Sequence, residues 1–406
     1  MKTKELSTKK MVLYMRLLYF IFWGTMFISH TYIPIYLREF AFINDFTLGM
    51  ILSGGFLITT AAQIFFGNLA DRSKTKNKVL TFAQIGLVGG LILLSIPKHS
   101  AFITLLPAVF LFYIFFVIPG LLMDTIVVEN AENAGVAFGT LKCFASAGAC
   151  AMALALFLMS LFMELRTQTA FILAISCAVL SLLPARRLPP TKGYAKNTGK
   201  GGGKAVFKEI IKNRKLMLLL CYVLLLFMGI QATNVFMGVY YASPDGMGAG
   251  LGMYGLFFAI CIGFETALML YGNRFLQAMD ISNVFTLVSV AAFSRSLILF
   301  LAPNIYVLQL CAISQALIFA PLWSRLSPYV NEIVSKEMRA TGQAAWSVMA
   351  FGIGPMVGAA LGGMIANAVG MRSFFGVVAA MLLVVSVVFF FLFRRQRKNE
   401  QDLNPE

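Results

Sequence analysis

Charged residues are scarce in this 406-residue chain, where they make up only 12% of the sequence and acidic residues number just 17. Hydrophobic residues make up 59%, which is more than the apolar share of an ordinary soluble domain. A soluble globular protein is therefore not expected. Long apolar runs follow one another along nearly the whole sequence and point to a membrane protein.

Residues that carry catalytic or metal chemistry are also few. The six cysteines form no CxxC pair and no metal-like spacing, so we interpret them as small hydrophobic residues in helix packing. The two histidines, His30 and His99, belong to no nucleophile–base set or metal cluster. We therefore expect neither an enzyme nor a bound cofactor or metal.

Twelve apolar stretches approach or exceed the length of about 20 residues that a membrane-spanning helix needs. Their lengths favour helices, because backbone hydrogen bonds must close within each segment in lipid, and nothing alternates like the strands of an outer-membrane barrel. The predicted fold is an all-α membrane protein with twelve transmembrane helices. The predicted spans are 11–37, 46–70, 78–97, 101–127, 136–163, 167–184, 215–242, 251–276, 283–302, 305–330, 341–368 and 371–393.

The net charge of +16 would suit a nucleic-acid partner, but its distribution argues against one. Of the 33 lysines and arginines, 26 fall on one side of the predicted membrane. Because positive residues stay on the cytoplasmic side, we expect both termini to be cytoplasmic in a bacterial inner membrane. The basic side would meet the anionic headgroups of the lipid bilayer.

A basic, glycine-rich stretch at 185–214 interrupts the apolar rhythm. Two prolines, Pro189 and Pro190, and the run GKGGG at 199–203 predict a flexible cytoplasmic linker. The linker separates an N-terminal six-helix half, 1–184, from a C-terminal six-helix half with a short cytoplasmic tail, 215–406.

The two halves show a faint internal similarity. The triplet at 66–68 has a counterpart at 271–273, offset by 205, and the triplet at 138–140 has one at 341–343, offset by 203. The nearly constant offset predicts two pseudo-symmetric halves. Parallel repeats of this kind place a substrate site between the halves, near the bilayer midplane.

Four ionisable residues lie in or at the edge of predicted spans: Asp124, Lys142, Glu265 and Arg295. Such a side chain costs about 2.5 kcal/mol or more in hydrocarbon, so it normally faces a partner or a watery cavity. Asp124 and Lys142 are equidistant from the centre of the loop between their spans, and so are Glu265 and Arg295. The pattern predicts two acid–base pairs along a path for substrate or ions. A purely structural ion pair is the alternative for each.

Neutral polar residues extend the candidate substrate site. Gln231 and Asn234 lie about one helical turn apart in the seventh span, and Gln315 lies in the tenth. Each could line a solute cavity or bond between helices, and the sequence leaves both open. The tryptophans offer a similar choice between a stacking surface for a solute and core packing: Trp23, Trp323 and Trp346.

The loop after the second span contains Gly67, Asp71 and Arg72, followed by a basic tail that ends at Lys78. The glycine permits a close approach of two helices, and Asp71 can cap a helix or accept from Arg72. At this place in a twelve-span chain the loop resembles the signature loop of the major facilitator superfamily. The resemblance implies a cytoplasmic latch that gates transport, whereas the alternative is a charged turn that only sets topology.

Three further segments narrow the resemblance: 32–37, 138–142 and 339–344. In this order they are similar to the branch that contains lactose permease, nucleoside permeases and phenylpropionate permease-like carriers. The resemblance implies a secondary active transporter that moves a sugar, nucleoside or small organic acid by alternating access. Proton-coupled import is the default expectation.

Carried over residue by residue, the resemblance implies that Asp124 accepts hydrogen bonds from the solute and that Lys142 orders Asp124 or donates to the solute. Lys142 stands where the sugar carrier has an arginine, so the bidentate fork is lost. Glu265 and Arg295 would couple transport to protons. The tenth span reads QALI from Gln315 where the sugar carrier has a His and a Glu, so coupling falls to Glu265 or Asp124, or the carrier is uncoupled.

Two other classes of function stay open. A polyspecific exporter of drugs or amphiphiles would have a cavity dominated by Met and Phe, and a membrane sensor would bind without transporting. The expected partners are a small-molecule substrate, protons as the coupling ion and the lipid bilayer, with no nucleic acid, and the expected state is a monomer.

Overall fold

The computed structural model describes most of the chain. The described residues are 8–41, 43–96, 102–192, 212–244, 246–335 and 338–403. They contain twelve helices that are long and apolar enough to cross a membrane, and no strand is assigned among them. The predicted all-α fold with twelve transmembrane helices is confirmed.

The helices follow the predicted spans closely. The first six are α1 (Thr8–Ala41), α2 (Asp45–Arg72), α3 (Lys76–Ser95), α4 (Phe102–Phe115 and Ile118–Ala134), α5 (Phe138–Ser160) and α6 (Thr167–Arg187). The last six are α7 (Arg214–Ala242), α8 (Gly250–Tyr271), α9 (Ile281–Leu301), α10 (Cys311–Ile333), α11 (Arg339–Val348, a π-helical turn Met349–Ile353, then Gly354–Val369) and α12 (Met371–Leu403). Short helices at Asn273–Ala278 and Ile305–Gln309 precede α9 and α10.

One membrane helix, α4, is interrupted near its middle. Pro119 lies in the first turn of the second segment, where its missing N–H costs no helical hydrogen bond. The carbonyl of Tyr113, in the last turn before the break, accepts a hydrogen bond of 2.8 Å from the Thr59 hydroxyl of α2. A side chain therefore satisfies a backbone group next to the interruption, as lipid requires.

The chain folds into two compact units. The first unit comprises Met1–Ile43, Gly54–Gly199 and Gly250–Ala259, and the second comprises Asn44–Ser53, Lys200–Ala249 and Ile260–Glu406. The start of α8 therefore packs with the first six helices, and the start of α2 packs with the last six. The predicted domain boundaries at 184 and 215 stay a prediction, and α6 extends helically to Arg187.

Within the second unit, glycines let α2 and α11 come into backbone contact. A Cβ atom at Gly363 would lie 2.6 Å from the carbonyl oxygen of Asp45 and 2.9 Å from the Cα of Gly49. Real Cβ atoms do not approach other atoms so closely. Only glycine fits at this crossing.

Within the first unit, the start of α8 rests on α1 and α5. The Tyr32 hydroxyl of α1 donates to the Leu251 carbonyl of α8 at 3.1 Å. A Cβ atom at Gly255 would lie 2.8 Å from the Ala153 carbonyl oxygen of α5. The small residue again sets the distance between two membrane helices.

Candidate functional site

The first predicted acid–base pair is formed in the structure. Lys142 of α5 donates to both carboxylate oxygens of Asp124 of α4, with N–O distances of 2.7 Å. The two helices are joined by a tight turn in which Gly135 adopts φ 65°, a left-handed conformation that suits glycine. The structure places this turn at 135–137 rather than around the predicted centre at 133, so Asp124 lies ten residues before the end of α4 and Lys142 four residues after the start of α5. Each side chain of the pair is 35% exposed and so remains accessible.

Aromatic residues that the sequence analysis did not select for this pair surround it. The buried Tyr19 hydroxyl of α1 donates to Asp124 Oδ1 at 2.7 Å. The Lys142 ammonium lies 4.9 Å from the ring centroid of Trp23, 5.3 Å from that of Tyr19 and 6.0 Å from that of Phe138. These distances are those of cation–π contacts. We call these five residues the lysine cluster.

The hydrogen-bond donors and acceptors of Lys142 and Asp124 determine what the lysine cluster can bind. The Lys142 ammonium carries three N–H donors, and its described partners are the two oxygens of Asp124 and the three rings. Among the described residues, Asp124 Oδ1 accepts from both Lys142 and Tyr19, whereas Oδ2 accepts from Lys142 alone. The Oδ2 atom can therefore take one further donor. Asp124 takes two of the three Lys142 donors, so the whole ammonium becomes available to a new acceptor when Asp124 gives it up.

A second cluster forms around Arg295 of α9, which is 1% exposed. Its guanidinium donates to Asn234 Oδ1 of α7 at 3.0 Å, to the Ile230 carbonyl at 3.0 Å and to Gln315 Oε1 of α10. Asn234 in turn donates to Gln231 Oε1 at 2.6 Å. The structure thus brings together four residues that the sequence analysis selected separately. We call these five residues the arginine cluster.

The arginine cluster shows how a cation is kept inside the helix bundle. A buried charge is costly unless it is hydrogen-bonded, and a guanidinium offers five N–H donors in a fixed fork. The cluster supplies amide and carbonyl oxygens from α7 and α10. Gln231 and Asn234 are only half-buried, so they remain within reach of a bound solute.

Glu265 of α8 is half-buried and lies close to the Trp323 side chain of α10. Cys261, one turn earlier on α8, is buried within electrostatic range of both Glu265 and Arg295. The acid and the base therefore lie in one neighbourhood. Their direct pairing stays a prediction, since the described hydrogen bonds of Arg295 go to amide and carbonyl groups.

An aromatic stack lies beside Glu265. Trp323 is nearly parallel to Phe351 of α11, with ring centroids 5.9 Å apart at 14°, and to Phe319, at 5.9 Å and 19°. Trp323 is 37% exposed and Phe351 is 39% exposed. Phe351 sits in the π-helical turn of α11, an irregularity that is frequent at functional sites. The stack offers partly open ring faces next to a carboxylate.

The other two tryptophans have different surroundings. Trp346 is buried and donates from Nε1 to Gln343 Oε1 at 2.6 Å, which favours the core alternative for this residue. Trp23 is half-buried and faces Lys142 in the lysine cluster. Of the three tryptophans, Trp323 has a partly exposed ring beside Glu265, an ionisable residue of the second half.

The predicted latch consists of Gly67, Asp71 and Arg72. Within the described residues, Gly67 does not make the close contact with another helix that the sequence predicts. No atom of the described chain lies within 4 Å of a Cβ built at Gly67, so the expected close helix approach is not made there. Asp71 and Arg72 are exposed in the last turn of α2. The N-cap of α3 is Thr75, so Asp71 does not occupy that position. No group of three or more potential metal ligands occurs within the described part of the chain.

The model of the MFS_1 like family matches residues 12–377, which is most of the chain. The chain belongs to the MFS_1 like family. Together with its twelve apolar helices, this makes it a multi-pass membrane transporter of the major facilitator type. It is 23% identical over 347 residues to the uncharacterized transporter YwbF of Bacillus subtilis (strain 168), and the match covers 84% of each chain.

Solved structures of major facilitator transporters share this fold. The nucleoside transporter NupG superposes with a TM-score of 0.78 at 17% identity, covering 94% of this chain and 99% of that one. The peptide transporter POT gives a TM-score of 0.74 at 14% identity, covering 97% and 99%. An inward-facing, unoccupied bacterial homolog of the human lysosomal transporter Spinster gives 0.70 at 15% identity, covering 96% and 98%. The resemblance to the major facilitator superfamily predicted from the motifs is confirmed.

Proposed function

We propose that this transporter is a secondary active carrier that imports a small polar organic solute together with protons across a bacterial inner membrane. The arginine cluster is the observation that carries the proposal. A fully buried cation is held there by amides from neighbouring helices, two of them still within reach of a solute. Buried ionic groups often gain little over apolar packing, and ionisable residues within membrane helices usually mark a substrate or ion path.

The solute class follows from the groups that surround this path. Gln231, Asn234 and Gln315 offer amide donors and acceptors, Glu265 offers a carboxylate, and Trp323 offers a ring face. Together they suit a ring-bearing polar solute such as a nucleoside or a sugar. The shared fold with the nucleoside transporter NupG is compatible with this class.

In the first half, Asp124 and Lys142 are proposed as the matching substrate contacts. Asp124 Oδ2 can accept one further hydrogen bond, which suits a hydroxyl or amine of the solute. If Asp124 is protonated, Lys142 is released and can take a solute carboxylate instead. A small organic acid therefore stays within the proposed solute range.

Glu265 and Arg295 are proposed as the coupling residues. A proton on Glu265 removes the negative charge that lies in the neighbourhood of Arg295 and beside Trp323. Arg295 keeps its charge at any physiological pH. Protonation of Glu265 therefore makes the net charge of the two residues more positive by one unit. The exposed end of α2, with Gly67, Asp71 and Arg72, is proposed as the cytoplasmic gate, whose contacts form in another state of the transport cycle.

A flux experiment tests the proposal. Purified protein is reconstituted in liposomes, and uptake of radiolabelled uridine, lactose and phenylpropionate is measured with and without an inward proton gradient. We expect saturable uptake of at least one solute, accelerated by the gradient and reduced at least tenfold in Asn234→Ala. Thr286→Ala is the matched control, because within the described chain the Thr286 hydroxyl bonds only to the Ser282 carbonyl of its own helix.

Three outcomes would contradict the proposal in different ways. Efflux of a cationic dye with no uptake of the three solutes would indicate the polyspecific exporter. Stabilisation of the protein by a solute without any flux would indicate a sensor. Uptake that ignores the gradient would remove proton coupling but leave the carrier.

A further inference from the structure

The first residues of the predicted linker are fastened to the cytoplasmic ends of the first-half helices. Thr191, which is 2% exposed, donates its backbone N–H to Asn77 Oδ1 at 2.8 Å. Asn77 Nδ2 lies 3.1 Å from the Pro189 carbonyl and 3.4 Å from the Leu188 carbonyl. Residues 188–192 thus run along the start of α3. We call this segment and Asn77 the linker clasp.

The linker clasp also caps α3. The first four N–H groups of a helix have no partner within the helix, and the N-cap residue, Thr75, makes no side-chain capping bond. Its hydroxyl oxygen is buried without a described hydrogen-bond partner. The Lys76 N–H donates instead to the Thr191 carbonyl, at 2.8 Å. The linker therefore replaces the usual side-chain cap.

The sequence explains why this segment can serve as a cap. A residue that precedes a proline is disfavoured in helical conformation, and Leu188 accordingly ends α6 in an extended conformation with φ −71° and ψ 144°. Pro189 and Pro190 keep the chain extended, and such a chain has no internal hydrogen bonds that would occupy its carbonyls. The carbonyls are free to face Asn77. The Thr191 hydroxyl is also bound, by Asn130 Nδ2 of α4 at 3.3 Å.

The far end of the linker is held by another asparagine. Asn213, the N-cap of α7, accepts the Leu216 N–H at 3.0 Å and donates from Nδ2 to the Ile333 carbonyl at 2.7 Å. Ile333 is the last residue of α10. One amide side chain therefore caps a helix and ties the linker end to a neighbouring helix.

We propose that the linker is a tether with two fixed ends, and that its first anchor, the linker clasp, holds the signature loop in place by capping α3. Because α2 ends at Arg72 and α3 begins at Lys76, the part of the signature loop that is not helical is 73–75, immediately before the capped N–H of Lys76. Release of the linker clasp would fray the first turn of α3 and free the loop that precedes it. The proposal is independent of which solute is carried.

A pair of substitutions at one position isolates the capping bond. Lys76→Pro removes the N–H donor, but proline is well tolerated at the first position of a helix, and Thr75 already has the extended conformation, φ −148° and ψ 124°, that a following proline requires. Lys76→Ala removes the same positive charge but keeps the N–H. A difference between the two variants therefore reports the hydrogen bond to Thr191.

Hydrogen–deuterium exchange of the full-length protein in nanodiscs is the measurement. We expect Lys76→Pro to raise amide exchange about fivefold across 188–192 and across 73–79, as expected for the loss of one hydrogen bond. Lys76→Ala should match the wild type, and peptides from α7 to α12 should be unchanged in both. Equal protection of 188–192 in the two variants would overturn the proposal.

A second variant keeps the test decisive if Lys76→Pro fails to fold. Asn77→Ala removes the side-chain bonds to Thr191 and Pro189, and the Thr191 amide should then exchange faster. Asn68→Ala is the matched control for this measurement, because the only side-chain bond of Asn68 to a described residue goes to the Ile64 carbonyl of its own helix. Asn213→Asp keeps the cap of α7 but loses the donor to Ile333, so exchange should rise at 212–214. Unchanged exchange at Thr191 in Asn77→Ala would contradict the first anchor, and unchanged exchange at 212–214 would contradict the second.

Discussion

The Lys142 ammonium binds both carboxylate oxygens of Asp124 at 2.7 Å and at the same time faces the Trp23 ring at 4.9 Å. The pair is 35% exposed on each side, so it is worth about 0–1 kcal/mol to stability, as is usual for accessible ion pairs. Because the pair contributes so little to folding, its removal can be tested for an effect on transport without a large loss of stability. Variants of the Lys142–Asp124 pair can therefore distinguish an effect on transport from an effect on stability.

Lys142→Gln is therefore expected to slow uptake at least tenfold while the unfolding temperature changes by no more than a few degrees. The variant removes the cation from Asp124 and from the aromatic rings. Uptake in proteoliposomes and thermal unfolding measure the two effects. Cys143→Ser is the control, since the one side-chain bond of the exposed Cys143 to the described residues goes to the Thr140 carbonyl of its own helix. Uptake at the wild-type rate in Lys142→Gln would remove the lysine cluster from the substrate path.

Tyr19→Phe removes one hydrogen bond to Asp124 but leaves the ring beside Lys142. Hydrogen bonds to charged groups contribute about 1.5–3 kcal/mol, reduced here because Asp124 is partly exposed. We expect a modest loss of stability and a several-fold drop in uptake. Tyr19→Leu should be worse, because it also removes the cation–π contact. Equal behaviour of the two variants would show that the ring contributes nothing to the lysine cluster.

Arg295→Ala leaves the oxygens of Asn234 and Gln315 without their buried donor. Truncation of one member of a buried charged network costs about 3–5 kcal/mol, so this variant should unfold at a clearly lower temperature. Arg295→Lys keeps the charge but loses the fork, and we expect it to fold better than Arg295→Ala while transporting poorly. A wild-type unfolding temperature for Arg295→Ala would contradict the structural account of the arginine cluster.

Glu265→Gln keeps the shape of the side chain beside Trp323, but it cannot release a proton. We expect uptake driven by a proton gradient to be lost, while exchange of labelled for unlabelled solute across the liposome membrane continues. Comparison of the two assays on one preparation checks this. If Glu265→Gln retains full gradient-driven uptake, coupling lies elsewhere, and Asp124 is the next residue to test.

Gly363→Ala places a methyl group against the Asp45 carbonyl and the Gly49 Cα. Overpacking of this kind costs about 1–3 kcal/mol, so thermal unfolding should shift downward. Gly89→Ala is the control, because nothing described lies within 4 Å of a Cβ at that position. A larger loss of stability in Gly89→Ala than in Gly363→Ala would contradict the close contact between α2 and α11.

Individual residues show where sequence reasoning succeeds. Asp124 and Lys142 could be paired from the sequence because a short turn joins two antiparallel helices, although the turn lies at 135–137 and not at the predicted centre, and the lysine side chain reaches the carboxylate. Tyr19 was missed because it lies on α1, far away in sequence, and a tyrosine in an apolar helix carries no distinct signal. Its spacing of four residues from Trp23, on one helix face, is the only hint that the sequence contains.

The contacts of the buried and half-buried amides could not be predicted from the sequence. Gln231, Asn234 and Gln315 could be named as polar residues within spans, but their convergence on Arg295 depends on how α7, α9 and α10 pack. The linker illustrates the same limit, since its prolines predict an extended chain but not that Thr191 caps α3. The absence of a described neighbour at Gly67 likewise depends on where other helices lie.

The sequence by itself determined the twelve helices and the presence of ionisable groups within them, because length, hydropathy and unpaired backbone groups in lipid leave an apolar segment few alternatives. It also identified the superfamily through the loop after α2. Only the tertiary structure decided which polar groups meet, because helix rotation and crossing depend on side chains that are far apart in the chain. The arginine cluster, the aromatic surround of Lys142 and the linker clasp all arise at that level.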